Sequence, residues 1–201
     1  MLLDGLEKAK SNFPPNEEST ILEFGVFDGT TYLRMADYIL NKYPETRLIG
    51  FDSWKGLPPE TEGVWCPERH NPGTWQSSKS SVLNGLMFRG LAFNDRFKLV
   101  DGFFDKSLTP ELQATIKNLV FVNIDVDIHR STVELLEFIY PLLRKGVVLY
   151  FDDWKDPRDD HDGKWGEHLA WEQFIDKYPH IKYETLEISP NNQRLIEITE
   201  Y

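Results

Sequence analysis

The chain has 201 residues and a formal net charge of −11, with 33 acidic side chains against 22 lysines and arginines. This balance argues against binding to nucleic acid or to an anionic membrane, which both attract basic surfaces. Cys66 is the single cysteine, so an intramolecular disulfide is excluded. No apolar stretch approaches the ~20 residues of a membrane span, and Asp4 interrupts any signal-peptide pattern at the N-terminus. We therefore expect one cytoplasmic domain over residues 1–201.

Short apolar runs alternate with amphipathic segments along the chain. The spacing of apolar residues predicts helices, in chain order, over residues 1–12, 31–43, 77–91, 109–117, 131–143 and 167–178. Between them, apolar runs predict strands over residues 20–24, 47–51, 97–100, 119–124 and 146–151, and a closing hairpin over 183–188 and 194–198. Ser131 and Glu134 have the spacing of a capping box. The alternation predicts an α/β, Rossmann-like fold with a mostly parallel seven-stranded sheet, helices on both faces and an antiparallel C-terminal hairpin.

Each predicted parallel strand runs into at least one carboxylate. These acids are Glu23, Asp52, Asp101, Asp125 and the pair Asp152-Asp153. In an open parallel sheet, ligands bind outside the carboxyl ends of the strands, so the acids are expected to line one cleft. Unpaired carboxylates that lie so close together would raise each other's pKa values. The cluster therefore favours a site for cations or for hydroxyl-rich ligands.

A glycine loop follows the first predicted strand and opens the next helix. Gly25 and Gly29 would let the backbone of this loop approach a ligand closely, with Phe27 and Thr30 beside it. The spacing G-x-x-x-G lacks the second glycine of the dinucleotide fingerprint, and Asp28 would lie near the phosphates. Both features weigh against NAD and FAD and favour S-adenosylmethionine, which has no phosphate. The alternative is an ordinary strand-to-helix turn that binds no ligand.

Three strand-end acids suit parts of that cofactor. Glu23 would lie near the cofactor amine, and Asp52 can accept hydrogen bonds from both ribose hydroxyls. Asp101 ends the next strand in phase with them. This agreement at three successive strand ends favours a cofactor site over an ordinary turn.

The strongest local signal is Asp125-Val126-Asp127, followed one predicted strand later by Asp152-Asp153. Two or three of these carboxylates, with substrate oxygens, would satisfy Mg²⁺, which prefers hard oxygen ligands. Such a metal would lower the pKa of a substrate hydroxyl, and a nearby side chain would take the proton. Asp127 is the first candidate for this base, because alternation turns it to the side of Asp125, and His129 is the second. The alternative is that the second acid of each pair is a solvated loop residue.

Residues 56–76 have neither helical nor strand periodicity, and long loops of this kind commonly act as lids over binding sites. We expect Trp65 and Trp75 to clamp a flat or sugar-like acceptor and Arg69 or His70 to recognise its polar groups. Trp154, next to the second acidic pair, is expected to wall the pocket. The alternative is that the loop tryptophans attach the lid to the hydrophobic core.

Four motifs resemble those of the macrocin O-methyltransferase family. They are E-F-G-V-F-D-G from Glu23, G-F-D-S-W-K-G-L-P from Gly50, D-V-D-I-H-R-S-T from Asp125 and F-D-D-W from Phe151. Their order and spacing match the family across residues 20–155. The resemblance implies a class I methyltransferase fold and an S-adenosylmethionine- and magnesium-dependent enzyme that methylates a hydroxyl of a small molecule, such as a sugar of a natural product. It also suggests a homodimer.

The resemblance assigns roles to individual residues. It implies metal ligands at Asp125, Asp152 and Asp153, and a general base at Asp127. It implies cofactor contacts at Glu23, Gly25, Asp52, Ser53 and, through the family's G-x-F after the third strand, Gly102 and Phe103. His129 stands where the family has tyrosine.

Two other functional classes remain open on the sequence alone. In one, Asp125-Val126-Asp127 is the D-x-D motif of a glycosyltransferase and holds a metal on a nucleotide-sugar diphosphate. That function leaves the glycine loop and Asp152-Asp153 without a role. In the other, the chain is a non-catalytic module that keeps the cofactor fold.

Overall fold

A computed structural model describes residues 1–60, 69–92, 94–154, 165–190 and 193–201. The strands are β1 Ser19–Phe24, β2 Thr46–Asp52, β3 Phe97–Asp101, β4 Leu119–Ile124, β5 Val148–Phe151, β6 Lys182–Ile188 and β7 Arg194–Glu200. The helices are α1 Leu2–Ser11, α2 Thr30–Lys42, α3 Lys79–Phe88, α4 Phe104–Ser107, α5 Pro110–Gln113, α6 His129–Ile139 and α7 Gly166–Lys177. Among the described residues, no helix is long and apolar enough to cross a membrane.

All seven strands form one sheet in the order β3-β2-β1-β4-β5-β7-β6. Strands β1 to β5 are parallel, β7 is antiparallel to β5, and β6 pairs with β7 as a hairpin. The Rossmann-like prediction, including the antiparallel end, is therefore confirmed. The chain moves outward from β1 through β2 to β3 and resumes at β4 on the other side of β1. Such a switch point opens a crevice between the carboxyl ends of β1 and β4.

Helices cover both faces of the sheet because the central strands are apolar on both sides. One core packs β1 and β4 side chains such as Leu22 and Val122 against α6 and α7. The other packs their neighbours, including Ile21 and Phe121, against α1, α2 and α3. β1 and β4 are buried along their whole length, which explains why apolar residues occupy successive positions in them, as in Ile21-Leu22 and in residues 119–122, instead of alternating with polar ones.

The predicted helices differ from the observed ones by one to four residues at their ends, and two of these differences have a physical reason. The prediction that Ser131 caps a helix is wrong: α6 already begins at His129, its N-cap is Ile128, and Ser131 lies in its first turn. The helix predicted over residues 109–117 ends at Gln113. Beyond it, the N–H groups of Thr115 and Ile116 bond carbonyls three residues back, as in a tightened turn. Both residues are β-branched and therefore weak helix formers.

Candidate active site

A cavity of about 320 Å³ opens at the carboxyl ends of the parallel strands. The first residue after β1 and the first residue after β4 are each held there by a hydrogen bond to the neighbouring strand. The Gly25 N–H donates to the carbonyl of Phe51, and the Asp125 N–H donates to the carbonyl of Phe24. Twelve predicted site residues line this cavity: Gly25, Phe27, Asp52, Ser53, Arg69, Trp75, Gly102, Phe103, Asp125, Asp127, Asp152 and Asp153.

The glycine loop lies directly against the loop that follows β4. Gly25 has φ +86°, and a Cβ atom on it would lie 1.7 Å from the carbonyl oxygen of Asp125. Only glycine allows both this left-handed conformation and this approach without displacing the neighbouring chain. The loop also reaches β2, because the N–H of Phe27 donates to Asp52 Oδ2 at 2.8 Å. The glycine loop and the backbone of Asp125 are therefore one packed unit.

Asp52 accepts hydrogen bonds from two backbone groups. Its Oδ2 accepts from Phe27, and its Oδ1 accepts from the N–H of Trp54 at 2.6 Å. Burial raises the pKa of Asp52, and these backbone hydrogen bonds oppose the rise. A carboxylate has about four lone-pair sites, so it keeps acceptor capacity for further donors from the cavity. The geometry suits an acid that binds vicinal hydroxyls such as those of a ribose.

Asp125, Asp152 and Asp153 each offer a carboxylate oxygen, and these atoms lie within 4.8 Å of one another. Burial, followed by repulsion from Asp153 and Asp152, raises the pKa of Asp125 well above its usual range. Burial and the proximity of Asp127 do the same to the pKa of Asp153. A divalent cation would remove this repulsion, and the all-oxygen donor set is the one that Mg²⁺ prefers. The three side chains therefore fit the predicted metal.

Asp152 is oriented by its neighbours. Its Oδ1 accepts hydrogen bonds from the Tyr150 hydroxyl at 2.8 Å and from the Gln193 side-chain amide. Metal-binding carboxylates are commonly fixed by such outer contacts. Tyr150 lies on β5 and Gln193 directly precedes β7, so the antiparallel edge of the sheet contributes to the site.

Asp127 reaches the cavity through a strained turn. β4 ends at Ile124, so strand alternation, the reason given for its orientation, does not apply. Asp127 has φ +61°, and the N–H of Ile128 donates to the carbonyl of Val126 at 2.6 Å, which makes a γ-turn centred on Asp127. A non-glycine residue with positive φ costs about 1–3 kcal/mol, and residues in such strained conformations cluster at functional sites.

His70 contacts this aspartate. Its Nε2 lies 3.3 Å from Asp127 Oδ1, and its ring stacks on Trp165 with 5.2 Å between the ring centroids. His70 is only 1% exposed and does not line the cavity. The sequence suggested that His70 contacts the acceptor, whereas the structure places it behind the candidate base. Nothing in the sequence pairs it with Asp127, because the contact joins a loop to a turn 57 residues away.

Several predicted residues do not line the cavity. His129 is buried, and its Nε2 lies 2.7 Å from Gln173 Oε1 on α7. Trp154 is 4% exposed and stacks on His168, 4.3 Å away between centroids. Both side chains therefore contact residues of α7 instead of lining the cavity. Trp65 lies outside the described residues.

The remaining cofactor predictions lie around the cavity rather than in it. Glu23 is fully buried: its Oε1 accepts from Asn123 Nδ2 at 3.0 Å, and burial raises its pKa well above the usual range. Asp101 is largely exposed and pairs with Lys79 and with the indole N–H of Trp54. Neither side chain lines the cavity and Asp101 is paired, so the expectation that unpaired acids line one cleft throughout is wrong for these two; Glu23 Oε2 nevertheless has no hydrogen-bond partner among the described residues. Gly29 and Thr30 form the start of α2 and are not cavity-lining residues.

Glu167 is a site component that the sequence analysis did not identify. It is fully buried in the first turn of α7. Its Oε1 accepts from the N–H of Val126, and its Oε2 accepts from the N–H of Asp153, both at 3.1 Å. Burial, with repulsion from Asp153, raises the pKa of Glu167 well above its usual range. It follows a charged stretch in the sequence, where a glutamate gives no sign of being buried.

Solved structures with this fold include several methyltransferases. The O-methyltransferase NovP aligns with a TM-score of 0.77 and 19% identity over 99% of this chain and 79% of its own. The calicheamicin methyltransferase CalS11 aligns with a TM-score of 0.73 and 22% identity, covering 98% and 77%. The O-methyltransferase from Bacillus cereus, in complex with S-adenosylhomocysteine, aligns at 0.57 and 16% identity, covering 99% and 90%. At such identities the likeness shows a shared fold.

Family membership comes from the sequence match. No curated protein sequence gives a significant match. The model of the macrocin-O-methyltransferase (TylF) family, however, matches residues 4–160, which is most of the chain and includes the glycine loop, Asp52 and the complete aspartate cluster. This match favours methyl transfer over the glycosyltransferase alternative. The chain belongs to the macrocin-O-methyltransferase family and is an S-adenosylmethionine-dependent O-methyltransferase.

Proposed function

We propose that this enzyme is magnesium-dependent and methylates a sugar hydroxyl of a natural product or of its activated sugar precursor. One observation carries the proposal: the three clustered aspartates and the glycine loop line the same cavity. A cation held there would lie beside the cofactor loop. CalS11 is described as a TDP-rhamnose 3'-O-methyltransferase, which supports a deoxysugar as the first acceptor to test.

In this proposal the cofactor lies along the ends of β1, β2 and β3. Gly25 and Phe27 contact its amino-acid portion, Asp52 accepts from its ribose hydroxyls, and Gly102 and Phe103 border its base. Ser53 lies beside Asp52 at the same strand end. Each of these residues lines the cavity, which supports the assignment.

Asp125, Asp152 and Asp153 would hold Mg²⁺, which supplies charge that favours ionisation of a nearby hydroxyl and fixes the acceptor's orientation. Asp127 accepts the hydroxyl proton as the oxygen attacks the methyl carbon. The new bond joins acceptor oxygen and methyl, and the bond from methyl to sulfonium breaks, leaving neutral S-adenosylhomocysteine. Holding the two reactants in line contributes much of the acceleration. Trp75 is the proposed acceptor contact, because it lines the cavity and is 46% exposed.

The acid-base role of Asp127 is supported by its position. Its carboxylate lies at the cavity, in a strained turn, beside the metal cluster. His129 is engaged with Gln173 and is the weaker candidate. The Asp127→Asn variant should retain cofactor and metal binding and lose about two or more orders of magnitude in kcat.

The test is methyl transfer to a panel of TDP-deoxysugars and deoxysugar-bearing natural products, followed by release of S-adenosylhomocysteine, with Mg²⁺ or with EDTA. Transfer that requires Mg²⁺ and disappears in Asp125→Ala supports the proposal. Equal transfer in EDTA would refute the metal requirement. Cofactor binding without transfer to any hydroxylated acceptor would favour the non-catalytic module.

Sedimentation at several protein concentrations would test the proposed homodimer, and fractionation of the producing cells would test the proposed cytoplasmic location.

A further inference from the structure

The start of α7 packs against both acidic loops of the site. Gly166 has φ +48°, and a Cβ atom there would lie 2.5 Å from the carbonyl oxygen of Asp127. Trp165, the preceding residue, stacks on His70, whose Nε2 contacts Asp127. Glu167, the following residue, accepts a hydrogen bond from the N–H of Val126, which directly precedes Asp127. Three consecutive residues of one helix start therefore support the turn that carries Asp127.

The hydrogen bonds of Glu167 begin where those of the sheet end. The last bonds in line with the sheet are donated by the N–H of Asp125 to Phe24 and by the N–H of Asp152 to Ile124, at 3.0 and 2.9 Å. The next N–H group in each loop is that of Val126 and that of Asp153. Both donate to Glu167, one to each carboxylate oxygen, at 3.1 Å. One side chain therefore links two loops that no longer pair with each other.

This link holds the backbone at or beside two of the three clustered aspartates. Asp125 directly precedes Val126, and Asp153 is itself held through its backbone N–H. Both oxygens of Glu167 are engaged by backbone donors, and Glu167 is not among the three acids whose oxygens converge. Its geometry is that of a residue that orients the metal-binding loops rather than of a ligand.

We propose that Glu167 is a positioning residue that fixes the separation of Asp125 and Asp153 and thereby the metal affinity of the site. The inference rests on the proposed metal-dependent function and names a residue for it outside the family's strand-end motifs. Outer-shell contacts of this kind typically change metal affinity by about 10- to 100-fold when removed.

The experiment compares Glu167→Gln with Glu172→Gln. Glutamine retains one acceptor oxygen and turns an N–H₂ group toward the other backbone donor. Glu172 lies on the same helix, contacts His168 at the surface and provides a matched charge change. Binding of Mn²⁺ is measured by electron paramagnetic resonance, Mg²⁺ and S-adenosylhomocysteine by calorimetry, and folding by thermal melting in EDTA.

We expect Glu167→Gln to weaken Mn²⁺ and Mg²⁺ binding by about 10- to 100-fold. S-adenosylhomocysteine affinity should change by no more than about twofold, because neither backbone donor to Glu167 belongs to a residue assigned to the cofactor. Glu172→Gln should bind the metal as the wild type does. A folded Glu167→Gln variant with wild-type metal affinity would overturn the inference, even if its melting temperature had fallen. Absence of metal binding in the wild type would refute the proposed metal dependence, and the positioning role with it.

Two further measurements apply if Glu167→Gln does not fold. Glu167→Asp keeps both acceptors on a stem about 1.5 Å shorter, so it should hold one loop and bind metal more weakly than wild type. Wild-type affinity in this variant would overturn the inference. In the wild-type protein, the amide hydrogens of Val126 and Asp153 should be protected from exchange in EDTA. Fast exchange at either amide would show that the link is absent.

Discussion

Replacement of Gly25 by alanine tests the close packing of the glycine loop against Asp125, the first acid of the aspartate cluster. The added Cβ would lie 1.7 Å from the Asp125 carbonyl oxygen, whereas ordinary contact begins at 3.4 Å. The loops must therefore separate by about 1.7 Å. The left-handed backbone at this position costs a non-glycine residue about 1–2 kcal/mol. Overpacking adds about 1–3 kcal/mol.

Gly73→Ala is the matched control. Gly73 has φ +85°, nearly the same as the +86° of Gly25, but its Cβ would meet no atom within 4 Å. It therefore carries the conformational cost without the collision. We expect Gly73→Ala to lose about 1–2 kcal/mol of unfolding free energy and Gly25→Ala to lose about 2–5 kcal/mol.

The assay is urea unfolding followed by circular dichroism, with metal and S-adenosylhomocysteine affinities measured by calorimetry. Gly25→Ala should weaken both ligands, because its Cβ displaces the loop that carries Asp125. Gly73→Ala should leave metal affinity unchanged. Equal losses of stability in the two variants would show that the Asp125 loop yields at no cost, and the close approach would then have no structural importance.

Three further predictions concern individual side chains and pH. Asp52→Asn turns an N–H₂ group toward one of its two backbone donors and should weaken S-adenosylhomocysteine at least about tenfold. Calorimetry should show unchanged metal affinity, and equal loss of both ligands would contradict the division of the site. His70→Phe keeps the stack on Trp165 and removes the Nε2 contact to Asp127, so kcat should fall about tenfold with the KM for S-adenosylmethionine unchanged. A fall in melting temperature without a change in kcat would show that His70 supports the fold and does not act through Asp127. The raised pKa values of Asp125 and Asp153 mean that the folded protein holds protons that the unfolded chain releases. In EDTA, stability should fall as pH rises from the ordinary carboxyl value of about 3.9 through the raised range. Because Mg²⁺ replaces those protons, the increase in melting temperature that it produces should itself grow as pH rises above the ordinary carboxyl value, and an increase independent of pH would contradict the assigned cause.

The strands and the location of the site could be predicted because both depend on short stretches of chain. β4 is buried on both faces, so it is an apolar run, interrupted at Asn123, with the bounds expected from the sequence. The acid that follows such a strand lies at the carboxyl edge of the sheet whatever the helices do. This rule alone predicts that Asp52, Asp125 and Asp152 lie together, and in the structure all three line one cavity.

Helix starts were less predictable because competing signals lie close together. Ser131 and Glu134 have capping-box spacing, yet α6 begins at His129. The γ-turn at Asp127 redirects the chain two residues before α6, so the helix starts before the serine. Thr132 then uses its hydroxyl to bond the Ile128 carbonyl at 2.8 Å. Local preference for a cap is worth about 1 kcal/mol and yields to such tertiary geometry.

The residues that orient the site could not be found from the sequence, and the reason is general to this fold. A strand end is fixed by the hydrogen bonds of the sheet, so the side chains placed there follow from local pattern. The partners of those side chains come from connections that return to the edge of the sheet after long detours. Glu167 is 41 residues from Val126 and 14 from Asp153, and these separations carry no periodic signal. The residues assigned to ligands in this enzyme therefore lie in recognisable motifs, whereas the residue proposed to position them is recognised only when a buried polar group is traced to both of its partners.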